Sequence, residues 1–210
     1  FHMGKGAQFI SEVDESDGSL LYLDLDHTII TNLDLDHTDF YTDMEHLKDV
    51  FRKYSQEAVQ KNIVAFGDDD NLRDALEGMG SRVTWYGLGE DNDYRAVAVK
   101  PLGLGRSFDL EGPDGGIGQF SCPMLGEYNL HNCVGALALG HKLGLDVEAM
   151  ASSTSRLHGV VRRQDLLGER NGVKVLDDYA HHPTEIKATI RAVSELSPKR
   201  LVVVFQPHRY

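Results

Sequence analysis

The sequence predicts an α/β fold built on a parallel sheet, and three observations carry that expectation. Short apolar runs alternate with longer stretches of helical spacing, the pattern of strand, crossover helix and strand. Residues 173–176, 183–196 and 201–205 read as strand, helix and strand within about 30 residues, a βαβ unit whose strands must be parallel. Side chains able to do chemistry gather directly after apolar runs, at the carboxyl ends of strands, where such folds place their sites.

Taken in order, Phe9 and Ile10 predict a short buried strand that runs into the acidic stretch Glu12, Asp14, Glu15 and Asp17. A carboxylate there suits a hard cation. The hexapeptide LDLDHT then occurs twice, at 23–28 and at 33–38. In the first copy hydrophobic residues precede Asp-x-Asp-x-Thr, which resembles the first motif of haloacid dehalogenase-type phosphatases, with Asp24 as nucleophile and Asp26 as general acid/base. In the second copy an apolar strand ends in Thr31 and Asn32 and is followed by Asp36 and His37, a metal-ligand pair on a loop at a strand's carboxyl end. Residues 43–54 place Met44, Leu47, Val50, Phe51 and Tyr54 on one helical face, with Asp39 or Thr42 as the cap.

Residues 63–66 predict a strand running into Gly67, Asp68, Asp69 and Asp70, then a helix over 71–78 and strands over 83–87 and 94–99. Dense glycines over 103–118 predict strands joined by tight turns. Neither GxGxxG nor GxxxxGK[ST] occurs in the chain. Residues 129–145 predict a helix rich in Ala and Leu, and a second helix begins at 147. The small polar run Ser152, Ser153, Thr154 and Ser155 marks a predicted domain boundary, dividing 1–154 from 155–210. Beyond it, residues 177–183 leave a strand and enter a helix with Pro183 in its first turn. The next strand ends in Gln206, Pro207, His208, Arg209 and Tyr210, so parallel pairing would set two histidine-bearing corners side by side. Arg162 and Arg163 add bidentate phosphate donors.

Composition narrows the partners. A formal net charge of -12 argues against nucleic acid, which needs a basic stripe. Cys122 and Cys133, the only two cysteines, lack zinc-site spacing and are read as reduced structural thiols. No apolar run approaches the roughly 20 residues of a membrane span, and the start is not a signal peptide, so a cytoplasmic location without a membrane partner is expected.

Five blocks together resemble the Mur ligases: EVDESDGS at 12–19, TNLDLDH at 31–37, GEYNLHN at 126–132, VLDDYAHHPTEI at 175–186 and FQPHRY at 205–210. They stand in that family's order over nearly the whole chain, and look closest to the branch that joins L-alanine to UDP-N-acetylmuramate. The resemblance implies part of a P-loop-type central ATP-binding domain followed by the start of a Rossmann-like C-terminal ligase domain. It also implies ATP and Mg2+ as cofactors. The reaction it implies phosphorylates the lactyl carboxylate, and the amine of L-alanine attacks the acyl phosphate during peptidoglycan synthesis.

By the same resemblance Glu12 and His37 are metal ligands, while Asn129, Asn132, Arg163 and Asp178 hold the nucleotide. Tyr179, His181, His208 and Arg209 line the amino-acid and acyl-phosphate side, with His37, His181 and Arg209 as the catalytic set. The chain departs from the family at Tyr128, where histidine is usual, and at Gln164 and Asp165, which replace Phe-Glu. Several relatives use a carbamylated lysine, and Lys48 and Lys53 lie on the helix after the metal histidine. The family's glycine-rich phosphate loop and its UDP-binding domain precede the acidic block and do not occur in these 210 residues. The expectation is that these residues alone neither hydrolyse ATP nor ligate alanine.

Other readings stand beside this one. VAFGDDDNLRDA at 64–75 resembles a late phosphatase metal motif, yet it follows the first motif by only about 40 residues, too few for units of roughly 30 residues each. A murein peptide ligase that recycles a tripeptide would share the metal and nucleotide residues. A non-catalytic binding module would keep the fold without the phosphate loop.

Overall fold

The computed structural model describes residues 6–57 and 59–207. Strands β1 (Leu25–Ile30), β2 (Val59–Phe66), β3 (Val83–Gly87), β4 (Tyr94–Leu102), β5 (Gly105–Gly112) and β6 (Gly115–Cys122) lie in that order in one sheet. The first three are parallel, joined through α1 (Met44–Glu57) and α2 (Asp70–Ala75). The link 88–93 is far shorter than the dozen or so residues a parallel crossover needs. Accordingly β4 pairs with β3 only at Tyr86↔Tyr94 and Gly87↔Arg95, and runs on as the first strand of an antiparallel meander. Asp93 pins the link by accepting from the Trp85 amide at 2.8 Å.

Side chains alternate across a strand, and β2 uses both faces. Ile63 and Ala65 join Leu47, Val50, Tyr54 and Leu72 in a core under α1 and α2. Val64 joins Tyr86, Leu130, Val134 and Leu137 in a second core under α3 (Glu127–Lys142). Burying such aliphatic side chains contributes about 1.5–3 kcal/mol each, which is why the 3.6-residue stripe of α1 settles on the sheet. Helix α4 (Val147–Thr154) takes in Ser152 and Ser153, and packs by β6. Cys122 and Cys133 are buried and unbridged.

Several expectations need correction. Phe9 and Ile10 form no strand and are 82% and 92% exposed, since no neighbouring strand meets them. The cap of α1 is Asp43, whose Oδ1 accepts from the His46 amide at 2.8 Å, rather than Asp39 or Thr42. Beyond α4 the chain forms an unpredicted antiparallel hairpin, β7 (Asp165–Arg170) and β8 (Val173–Asp177), before α5 (Pro183–Glu195). Its turn is Asn171 and Gly172, both at positive φ, the dipeptide that favours tight hairpins.

Residues 201–205 are not a strand either. A strand exists through its hydrogen-bonded neighbour; here β8 pairs with β7, and the run lies open, with Val204 94% exposed. The predicted βαβ unit is a hairpin and a helix among the described residues. Its corner residues His208 and Arg209, with Tyr210, lie outside the described residues. No helix among the described residues is long and apolar enough to cross a membrane.

Candidate functional site

Three segments converge at the carboxyl edge of the parallel strands. The first is the loop after β1. Its path is set by α2: the Leu33 amide donates to Asp69 Oδ2 at 2.8 Å, and Asn71 Nδ2 donates to the Leu33 carbonyl at 3.2 Å. Asp69 Oδ1 meanwhile caps α2 by accepting from the Asn71 and Leu72 amides. His37 follows at φ 51, a left-handed conformation costly for a residue with a side chain. Its Nε2 lies 3.8 Å from Glu15 Oε1, and buried Tyr41 donates from its hydroxyl to the Glu15 carbonyl at 2.5 Å. Burial, reinforced by Glu15, Asp17 and Asp14, pushes the Tyr41 phenol up to about 12, so it stays a donor.

The family resemblance pairs His37 with Glu12. In the structure the carboxylate facing His37 is Glu15, and Glu12 is exposed three positions upstream. Asp14 also senses His37, and its carboxyl is held low chiefly by hydrogen bonding to Ser16. Among the described residues no three His, Cys, Asp or Glu side chains converge as a closed metal site. One imidazole and one or two carboxylates fit part of a magnesium shell, an ion that usually keeps waters and shares substrate phosphates.

The second segment is the start of α3. Asn129 Nδ2 donates to the Leu125 carbonyl at 2.7 Å, and Asn132 is exposed one turn on. His131 stacks on Phe66 at the end of β2, with ring centroids 4.4 Å apart and planes at 29°. Burial lowers its proton affinity, against the opposing pull of Glu127 and Asp68, and its Nε2 has no hydrogen-bond partner. Burial, reinforced by the Asp178 charge and opposed by Arg163, pushes the half-buried Tyr128 phenol above its usual range. Alongside, an open cleft of about 480 Å³ is lined by Gly67, Asp68, Asp70, Arg73, Gly89 and Asp91.

The third segment is the corner between β8 and α5. Asp178 Oδ1 accepts from the Ala180 amide at 2.8 Å and from Thr189 Oγ1 at 3.2 Å, and its Oδ2 accepts from the Gln164 amide at 2.9 Å. His182 caps α5 in a capping box with Glu185, and Pro183 opens the helix. Glu185 also faces Arg163 at 3.2 Å and His181 Nδ1 at 3.6 Å. Burial raises the Glu185 pKa, but amide donation from His181 and His182, with Arg163, outweighs it and holds the carboxyl low. The guanidinium groups of Arg162 and Arg163 lie 5.0 and 5.7 Å over the ring of Tyr179. Arg162 and Gln164, at φ 64 and 52, are strained on either side of Arg163.

Two close approaches set α5 against the rest of the site. His182 Nδ1, which accepts from the Thr184 amide, also lies 3.5 Å from Asp34 Oδ2, so the corner stands against the His37 loop, and Arg106 on β5 pairs with Glu195 at 2.6 Å. Of the sequence-predicted residues, His37, Asn129, Asn132, Arg163, Asp178, Tyr179 and His181 thus stand on these three segments. Glu15, Tyr128 and His131 were not predicted for this site.

The phosphatase reading fails here. Asp24 and Asp26 are exposed at the amino end of β1, opposite the edge where α/β sites form. Asp68 and Asp69 of its second motif have local duties: Asp68 accepts from the Leu88 amide at 2.6 Å and Asn92 Nδ2 at 2.6 Å, while Asp69 caps α2. Lys48 is buried between Glu45 and Asp74, at 3.1 and 2.6 Å, and staples α1 to α2.

Against known proteins, the Mur ligase middle domain matches residues 3–140, and the Mur ligase glutamate ligase domain matches residues 162–209. A UDP-N-acetylmuramate--L-alanine ligase of Endomicrobium trichonymphae is 38% identical over 99% of this chain and 47% of its own length. One from Geobacter sp. strain M21 is 39% identical over 99% of this chain and 46% of its own length. The chain therefore spans about half the length of the curated relatives it matches. The crystal structure of the UDP-N-acetylmuramate-alanine ligase MurC from Thermotoga maritima superposes with TM-score 0.78 at 24% identity, covering 93% of this chain and 44% of that one. A murein peptide ligase from Psychrobacter arcticus superposes with TM-score 0.62 at 22% identity, covering 86% and 37%.

Proposed function

The chain belongs to the Mur ligase family, and we propose that it serves an ATP-dependent ligase joining L-alanine to the lactyl carboxylate of UDP-N-acetylmuramate through an acyl phosphate. The observation that carries this reading is the 3.5 Å approach of Asp34 to His182, at which the His37 loop and the Asp178–His182 corner meet at one edge of the sheet. The names of the curated relatives favour alanine over a recycled tripeptide. A division near residue 154 into a central and a C-terminal domain, supported by the two family matches, belongs to the same proposal, as does a cytoplasmic location.

In this reading Asn129 and Asn132 approach the adenine, whose mixed donor and acceptor edge suits amides. Asp178 faces the ribose with the acceptor capacity its three donors leave. Arg163 exchanges its pair with Glu185 for a phosphate, a charge-assisted and bidentate contact. Tyr179 and His181 line the amino-acid side. Glu15, Glu12 and His37 would hold magnesium, which neutralises crowded phosphate charge during phosphoryl transfer.

The test uses the full-length protein. His37→Ala is expected to lower alanine-dependent phosphate release by on the order of 100-fold or more with the fold intact, while Asp24→Asn leaves it within about twofold. The reverse ranking of the two variants would overturn the ligase reading.

A further inference from the structure

One nitrogen at the β8 to α5 corner faces two partners that need it in opposite states. His182 Nδ1 accepts from the Thr184 amide at 3.4 Å, which is the side-chain half of the cap on α5. The same Nδ1 lies 3.5 Å from Asp34 Oδ2, on the loop after β1. An imidazole nitrogen accepts through its lone pair or donates through its proton, and cannot do both at once. Unprotonated, Nδ1 takes the amide and meets the carboxylate lone pair to lone pair. An imidazolium always carries a proton there, so it donates to Asp34 and releases the Thr184 amide. Both distances stand at the long end of the hydrogen-bond range, so neither partner holds the nitrogen outright.

The surroundings suit such an exchange. Asp34 Oδ1 accepts from the Leu35 amide at 3.0 Å, which leaves Oδ2 for His182, and the Leu33 amide anchors the same loop on Asp69 at 2.8 Å. Helix α5 keeps its start without the side-chain cap: Glu185 Oε2 accepts from the His181 and His182 amides at 3.1 and 3.3 Å, and Pro183 has no N–H to satisfy. The charged and titratable groups around the imidazole are Asp34 on the facing loop, Glu185 on α5, Arg163 at 3.2 Å from Glu185, and His181, whose Nδ1 is 3.6 Å from Glu185. Asp178, on the same corner, is occupied by Ala180, Thr189 and Gln164. A helix N-terminus disfavours an imidazolium, whereas Asp34 favours it, so protonation of His182 and its contact with Asp34 belong together.

We propose that His182 and Asp34 form a proton-operated latch: the neutral imidazole caps α5, and the protonated one exchanges the Thr184 amide for Asp34 and draws the Asp178–His182 corner onto the His37 loop. The latch stands on the two contacts of Nδ1 and goes beyond the ligase reading. Within that reading it closes the side bearing Tyr179 and His181 onto the side bearing His37.

The test follows hydrogen exchange at single backbone amides of the full-length protein, corrected for intrinsic rates, between about pH 7.8 and about pH 5.8, where imidazoles change charge and ordinary carboxylates do not. On acidification the Thr184 amide is expected to exchange faster and the Leu33 amide slower, each by up to about fivefold, the range of one partly exposed charge pair. These opposite responses separate the latch from a general change in stability, which moves both amides the same way. Asp34→Ala removes the acceptor and should abolish both responses. His182→Asn keeps a capping side chain that does not titrate and should hold both amides steady across the same interval. If His182→Asn folds poorly, Asp34→Ala decides alone. A shared direction of change in the wild type, no response to pH at either amide, or a wild-type pattern that survives in Asp34→Ala would overturn the proposal. The ligase reading is tested separately by phosphate release, so failure of the latch leaves it in place.

Discussion

His131 carries a conflict that its neighbours resolve only in part. Stacking on Phe66 and burial hold the ring in place, yet its Nε2 finds no hydrogen-bond partner. Burial lowers its folded pKa below the ordinary 6.5, with Glu127 and Asp68 countering. The unfolded chain therefore binds a proton first on acidification, so stability present above about pH 6.5 is lost as pH falls towards the folded value. His131→Phe keeps the stack and removes both the titration and the nitrogen that lies 3.6 Å from Glu127 without a hydrogen bond. It is expected to raise stability by about 1 kcal/mol, with a larger gain near pH 5.5 than near pH 7.5, measured from urea midpoints. Equal gains at both pH values would mean that His131 titrates normally. Nothing in the sequence marks this residue, because the burial that keeps it neutral includes its stack on Phe66, more than 60 positions away in the chain.

At the scale of elements, local patterns predict best where a helix or strand decides its own form. Helix α1 follows from the spacing of Leu47, Val50 and Tyr54, and β3 from the apolar run 83–87. Helix α5 follows from Pro183 and the capping box of His182 and Glu185. Glu185→Ala should cost about 1 kcal/mol. The folded carboxyl titrates below its usual 4.5, since the amides of His181 and His182 and Arg163 outweigh burial. Its contribution is therefore complete above about pH 4.5 and fades as pH drops through the folded value, so wild type and variant should converge in acid-unfolding curves. A gap that persists at low pH would rule out this origin. The β7–β8 hairpin has a legible signal in Asn171 and Gly172, but the apolar run at 201–205 offers β8 a competing parallel partner in the sequence.

For the whole molecule, the question is how α5 stays against the six-stranded sheet. Asp34 stands against its cap, Gly126 lets Ala192 approach closely and Arg106 holds Glu195 at its end. The partly exposed Arg106–Glu195 ion pair contributes about 0.2–1 kcal/mol. Arg106→Ala should therefore speed amide exchange in α5 by up to about fivefold while β1 to β3 stay protected. Loss of protection in both regions together would mean that α5 is integral to the sheet's core. The sequence alone determined the α/β class, most elements and the residue types at the site, because apolar spacing and strand-end chemistry are local properties of the chain. Only the tertiary structure decided that Glu15 faces His37, that 201–205 finds no strand to pair with, and that Gly126 lets α5 approach the start of α3. Those outcomes depend on how elements far apart in sequence pack together, and no run of neighbouring residues encodes that packing.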